Sequence, residues 1–147
     1  NHPILKKFEV AIVNAVGNYM RNLKNVANHP FLGYKPMQYT IDIWANVLGS
    51  NDHQSSHIHN QGWMSGVYYV SLPENSVEEN PYAGWLEFNR PGYGLPALGG
   101  EENFERIAPK PGMIVMFPSY VWHGTIPFTS QDTRISIAFD IHANYSQ

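Results

Sequence analysis

The architecture this sequence predicts is an all-β core of jelly-roll type, a double-stranded β-helix, with one helix at its N-terminal end. Three observations predict it. Residues 4–23 carry apolar side chains at three- and four-residue spacing, the period of a helix with one buried face. From Tyr39 onward the pattern becomes alternation in short runs. Between those runs stand glycines and prolines and no further helical stretch, and short strands joined by such turns build an antiparallel double sheet. At 147 residues the chain fits one domain, residues 1–147, with residues 1–28 as a supporting helix and residues 39–142 as the core.

The helix follows from Ile4, Leu5, Phe8, Ile12, Val16, Tyr19 and Leu23, with Lys6, Lys7, Glu9, Asn14 and Arg21 largely between them. Asn1 with Pro3 behind it suits a helix start, and Asn28-His29-Pro30 marks the stop. The expected role of this helix is to back a sheet. Tyr39 to Leu48 alternates Tyr39, Ile41, Ile43, Ala45 and Val47 against Thr40, Asp42, Trp44 and Asn46, which predicts a strand. Met64 to Leu72 is a second long strand, ended by Pro73, with Ser65, Val67 and Tyr69 on one face. Residues 74–111 are rich in proline and glycine and read mostly as loop around one short strand, Trp85 to Phe88. Met113 to Phe117 and Arg134 to Ile141 complete the strands.

Composition excludes several function classes. Net charge is −3 and the nine Lys and Arg are scattered, so no basic stripe invites a nucleic-acid backbone. No apolar run approaches the ~18 residues of a membrane span, and no signal-peptide pattern precedes the first element. A soluble cytoplasmic protein is the expectation. The absence of cysteine leaves His, Asp and Glu to bind any metal.

The stretch that organises the chain is His57-Ile58-His59. In an extended strand the imidazoles of His57 and His59 share one face while Ile58 turns toward a packed layer. Two imidazoles on one face can share a metal. The best third candidate is His123, where the strand-like run from Phe117 ends on a histidine, with the nearby carboxylate of Asp52 as the substitute. Arg134 follows eleven positions later, and alternation puts Arg134 and Ser136 on one face. Two strand histidines alone are more often solvent-facing than ligands. His53 is the most plausible decoy ligand, while His2, His29 and His142 read as surface or loop histidines. Trp44 and Asn46 share a strand face, which places one of those positions at the cavity wall. Trp63, Trp85 and Trp122 read as core or rim.

The order His57-X-His59, then Ser65-Gly66-Val67-Tyr68-Tyr69-Val70-Ser71-Leu72-Pro73, then Gly84-Trp85-Leu86-Glu87-Phe88, then Pro111 to Ser119, His123 and Arg134-Ile135-Ser136 resembles the 2-oxoglutarate- and Fe(II)-dependent oxygenases. Within them it is most similar to a small group common in marine bacteria and phages, and the resemblance covers roughly residues 39 to 142. It implies Fe(II) and 2-oxoglutarate as cofactors, with His57, His59 and His123 as both metal ligands and catalytic residues. The family's carboxylate position is occupied here by His59, a neutral ligand that raises the charge of the site by one unit. The resemblance further implies that Arg134 binds the distal carboxylate of 2-oxoglutarate through its planar fork, with Ser136 adding a bond. Tyr69 matches the second tyrosine of the family's Tyr-Tyr pattern, and its hydroxyl is expected to reach the same carboxylate.

The implied activity is hydroxylation of an unidentified small-molecule or peptide substrate. Two other readings compete. A cupin-like three-histidine metalloprotein, a dioxygenase or isomerase without 2-oxoglutarate, would share the His-X-His and Pro111-X-Met113 features but lacks here the glutamate that usually follows. A non-catalytic jelly-roll binding module would use the aromatic residues for stacking but leaves the histidine and arginine order unexplained. Residues 73–111 are expected to include a lid over the site, with 89–103 as its moving part.

Overall fold

The computed structural model describes residues 2–73 and 80–144, and the chain divides into two compact units, residues 1–37 and 38–147. In the first unit, helix α1 spans Pro3–Asn22. His2 caps it, its Nδ1 accepting from the Ile4 N–H at 3.3 Å, and Pro3 enters at the first turn, where no N–H is needed. The helix stops six residues before the Asn28-His29-Pro30 signal, which corrects the expected extent of 1–28. Leu23 turns extended while its N–H still reaches the Tyr19 carbonyl at 3.1 Å, and Asn22 Nδ2 donates to the Asn18 carbonyl at 2.9 Å. The terminal turn is thus satisfied locally, before the downstream loop begins. Ile12 and Val16 are buried, whereas Ile4 and Leu5 at the start of the predicted stripe are exposed. His29 serves the loop, its Nδ1 accepting from the Phe31 and Leu32 amides.

The second unit holds two antiparallel sheets. The larger has the order β1-β7-β2-β5, with β1 at Tyr39–Leu48, β2 at Met64–Ser71, β5 at Ile114–Pro118 and β7 at Arg134–Ala143. The smaller has the order β4-β3-β6, with β3 at Leu86–Phe88, β4 at Glu105–Ile107 and β6 at His123–Thr125. Sheet order skips along the chain, as a jelly roll requires and a meander does not. Strand β4 and a 3₁₀ turn at Glu101–Asn103 lie in the stretch expected to be loop. The Phe117–His123 run also differs from expectation. Strand β5 ends at Pro118, a turn closes with the Val121 N–H on the Pro118 carbonyl at 3.0 Å, and β6 begins on His123 instead of ending there.

Cross-strand register decides which residues face inward. Asn46 and Tyr69 both oppose Ser136, Trp44 and Val67 oppose Ala138, and Ser65 opposes Asp140, so these residues share one face of the large sheet. Arg134, opposite Leu48, lies on that face too. An irregularity between Tyr69 and Ser71 leaves Val70 outside the ladder, so Tyr69 is the last inward residue of β2 in unbroken register. Buried Tyr69, Leu86, Phe88, Val115 and Phe117 form the core between the sheets, where the Phe88 and Phe117 rings meet edge to face at 5.0 Å. Among the described residues no helix is long and apolar enough to cross a membrane. Part of the expected lid, residues 74–79, lies outside the described residues.

Candidate metal centre

Three histidines converge because two stretches distant in sequence pair as neighbours. His57 forms a bridge with His123, each donating its backbone N–H to the other's carbonyl at 3.0 and 3.1 Å. The pairing continues on both sides, with the His59 N–H on the Ser119 carbonyl and the Thr125 N–H on the Gln54 carbonyl, both at 2.9 Å. His57 therefore sits in an isolated bridge beside β6, not in a continuous strand as the alternation suggested, yet the segment is held in place backbone to backbone. Gly124 permits the approach: a Cβ there would lie 2.8 Å from the Gln54 carbonyl oxygen and 3.0 Å from the Ser56 nitrogen. The rings meet with centroids 4.4 Å apart for His57 and His123, and 5.0 Å apart for His59 with each of the others.

Hydrogen bonding orients the rings. His57 Nδ1 lies 2.7 Å from the Ser55 carbonyl and His123 Nδ1 lies 2.9 Å from the Val121 carbonyl. Carbonyls only accept, so each Nδ1 carries the proton and each Nε2 presents a lone pair. His59 Nδ1 faces the Asp140 carboxylate at 2.6 and 2.8 Å, which assigns its proton the same way. One nitrogen from each ring lies within 4.8 Å of the others, and His57 Nε2 is 3.0 Å from His59 Nε2. Two lone pairs that close repel unless a cation sits between them. A divalent ion held by both nitrogens would remove that repulsion. Burial pushes His123 down to about 4, with the bond to Val121 offsetting only part, so this imidazole is a neutral donor through the physiological range.

Asp140 is itself held. Ser65 Oγ donates to its Oδ1 at 2.6 Å and stands 2.8 Å from Ser119 Oγ. Burial alone raises the Asp140 carboxyl, but the hydrogen bonds from His59 and Ser65 outweigh it and hold the group below the ordinary carboxylate range. Sequence reasoning missed Asp140 and Ser65. The signal was present, since Asp140 has the parity of Arg134 and Ser136 along one strand, and Ser65 that of Tyr69.

Beside the triad lies an inner cavity of about 90 Å³ that Arg134, Tyr69, Asn46 and Trp44 help to line. The Arg134 guanidinium carbon stands 5.2 Å from the Tyr69 ring centroid. Arg134 Nε, Tyr69 Oη and Ser136 Oγ are all buried without a hydrogen-bond partner. Burial pushes the Tyr69 phenol up to about 12, with the Arg134 charge offsetting only part, so its hydroxyl keeps its proton. Unsatisfied buried donors are costly, and the two of these that line the cavity, Arg134 Nε and Tyr69 Oη, fit a carboxylate that accepts from both, while Ser136 is not among its lining residues. One of Trp44 and Asn46 was expected at the wall, and both line this cavity.

A larger cleft of about 730 Å³ lies against the other face of the small sheet. Gln54, His57 and Thr125 line both spaces, so the cleft opens beside the triad. Its wall carries Glu87 clamped between Arg90, at 2.5 Å, and Arg106, at 2.9 Å, while those guanidinium groups stack on Phe104 and Tyr82. The decoys stay outside the triad, although His53 lines this cleft. His53 is exposed beside Ser55, and the Asp52 carboxylate accepts from the Gly49 N–H at 2.8 Å. Trp63 is buried, and Trp85 and Trp122 are half-buried.

Comparison with known proteins agrees with this architecture. No curated protein matches the chain in sequence. Among solved structures, the chain is similar to a prolyl-4-hydroxylase from Pseudomonas putida, with 16% identity, a TM-score of 0.51, and coverage of 71% of this chain and 52% of that one. It is also similar to an oxidoreductase of the 2OG-Fe(II) oxygenase family from Burkholderia pseudomallei, with 14% identity, a TM-score of 0.53, and coverage of 76% and 48%. The chain thus spans about half the length of each, and at these identities the likeness concerns the fold. A family model described as "Putative 2OG-Fe(II) oxygenase" matches residues 42–140, about two thirds of the chain. On that match, the chain belongs to this 2OG-Fe(II) oxygenase family.

Proposed function

We propose that this protein is a 2-oxoglutarate-dependent oxygenase in which His57, His59 and His123 hold Fe(II), while Arg134, Ser136 and Tyr69 receive the distal carboxylate of 2-oxoglutarate. The observation that carries the reading is the placement, around one cavity, of three imidazoles with free Nε2 lone pairs and two buried donor atoms, Arg134 Nε and Tyr69 Oη, with no acceptor. A cation and a carboxylate are the two partners such groups lack. Bound iron would supply the redox chemistry, in which O2 and 2-oxoglutarate give succinate and CO2 and oxidise the substrate.

The chain's own residues have simpler tasks. The histidines present lone pairs without a tautomer change. Arg134 offers a planar fork of charged donors, and the Tyr69 hydroxyl, which retains its proton, adds another. Phe117, Leu86 and Val67 line the same cavity with apolar groups and limit water around the reacting centre. Substrate would approach from the cleft beside His57, a small molecule or a peptide segment being of suitable size. The orphaned Arg134 Nε and Tyr69 Oη favour this over the cupin-like reading, which has no use for a buried arginine there.

The test is metal analysis of protein purified without oxygen, followed by succinate production from 2-oxoglutarate with Fe(II) and ascorbate. Stoichiometric iron with slow succinate release is the expected result. Iron-loaded protein that neither binds nor turns over 2-oxoglutarate would replace this proposal by the cupin-like one.

A further inference from the structure

Three neutral imidazoles would leave a divalent ion with all its charge, in a cavity that Leu86, Phe117 and Val67 help to wall. A charge so placed requires a counter-charge nearby. The carboxylate hydrogen-bonded to the triad is Asp140, which accepts from His59 Nδ1 with both oxygens. His57 and His123 make the corresponding bond to neutral carbonyls, those of Ser55 and Val121. One imidazole of the three therefore differs from the others in kind.

We infer that Asp140 is a positioning residue that gives His59 the character of an anionic ligand, so that the centre treats its metal as two neutral donors and one charged one would. The inference rests on the metal-binding reading above. An imidazole whose N–H is given to a carboxylate is a stronger base at its other nitrogen, and its ring is fixed in orientation. Asp140 is 8% exposed and sits directly across from Ser65, whose hydroxyl donates to Oδ1, while His59 Nδ1 faces both carboxylate oxygens. The negative charge that none of the three histidines supplies is thereby delivered one bond further out.

The experiment uses the whole chain with Co(II) as an optical probe and iron for potentials. Asp140→Asn preserves shape and one acceptor oxygen while removing the charge. It should weaken Co(II) binding by about 10- to 100-fold, shift the visible Co(II) bands, and move the Fe(III)/Fe(II) midpoint potential positive, because the ferric ion loses more when an anion is removed. Ser65→Ala should act with the opposite sign: a carboxylate that loses a donor keeps more charge for His59, so the potential should move negative. This second variant carries the test if the first fails to fold. A folded Asp140→Asn protein with wild-type Co(II) affinity and potential overturns the inference, as does a Ser65→Ala potential that does not move or moves positive. Failure of the underlying reading looks different: the wild type itself would take up no Co(II), or His57→Ala would bind it as the wild type does.

Discussion

His57 and His123 stand directly opposite each other and exchange both backbone hydrogen bonds, at 3.0 and 3.1 Å. Side chains of such a pair emerge on the same side with their Cα atoms about 5.5 Å apart. Two members of the triad are therefore spaced by β pairing, and His59 is fixed beyond the bridge by its N–H on the Ser119 carbonyl at 2.9 Å.

Disturbing that pairing should harm metal binding without touching a ligand. In Gly124→Val the new side chain would run into the Gln54 carbonyl and the Ser56 backbone, which cannot rotate away. A loss of about 1–3 kcal/mol in thermal or denaturant unfolding is expected, the range for a forced insertion into packed structure. Weaker Co(II) binding should accompany it. Wild-type values for both would mean that something other than this pairing sets the ring spacing.

Arg134→Lys should weaken 2-oxoglutarate binding far more than metal binding. Lysine retains the charge and loses the fork, and one charge-assisted hydrogen bond is worth roughly 1.5–3 kcal/mol, so affinity should fall by about one to two orders of magnitude. Calorimetry on metal-loaded protein reads the co-substrate and Co(II) titration reads the metal. Unchanged 2-oxoglutarate affinity would remove Arg134 from the proposed site.

Glu87 predicts a pH dependence of stability. Burial raises its carboxyl, but the hydrogen bonds from Arg90 and Arg106 prevail and hold it below the ordinary carboxylate range. A folded-state value below the unfolded one means that the unfolded chain binds more protons in that window. The contribution is therefore full above the unfolded pKa and is lost as pH falls through the folded one. Melting temperatures of the wild type and Glu87→Gln should differ most near neutrality and converge in acid. A constant gap across that range would show that the charge on Glu87 is not what the two arginines stabilise.

The loop at residues 89–103 is closed at its base, with Asn89 Nδ2 on the Asn103 carbonyl at 3.2 Å and the Asn89 N–H on the Trp122 carbonyl at 2.9 Å. A Cβ on Gly92 would lie 2.0 Å from the Ser56 carbonyl oxygen, so the loop passes hard against the segment that carries His57. If the loop covers the site during turnover, hydrogen exchange across it should slow when metal and 2-oxoglutarate are both bound. Leu98, 93% exposed, marks the part with most to gain from closure. Exchange that is the same with and without ligands would make it a fixed connection.

Much of the fold was legible because long strands with one buried face write their alternation into the sequence. Tyr39–Leu48 appears with the predicted bounds, and Arg134–Ala143 extends the predicted run by two residues. Strands β4 and β6 were not legible. Each has three residues, too few for a period, and exists because β3 lies between them to be paired. The triad could be read from residue type and order. Asp140 was passed over because an acidic residue near the end of an apolar strand reads as a solvent-facing position, and only the fold places it against His59, 81 residues earlier.

The partners of the three Nδ1 atoms differ in how they can change over generations. Ser55 and Val121 contribute main-chain oxygens, which every amino acid possesses, so no single codon change at those positions deletes the acceptor. Asp140 contributes a side chain, and substitution there can abolish it or alter its charge. Two imidazole orientations are thus insulated from mutation while the third is exposed to it. Descendants of this chain that acquire a different metal preference or oxidising strength have a one-residue route at position 140, with the histidines left intact.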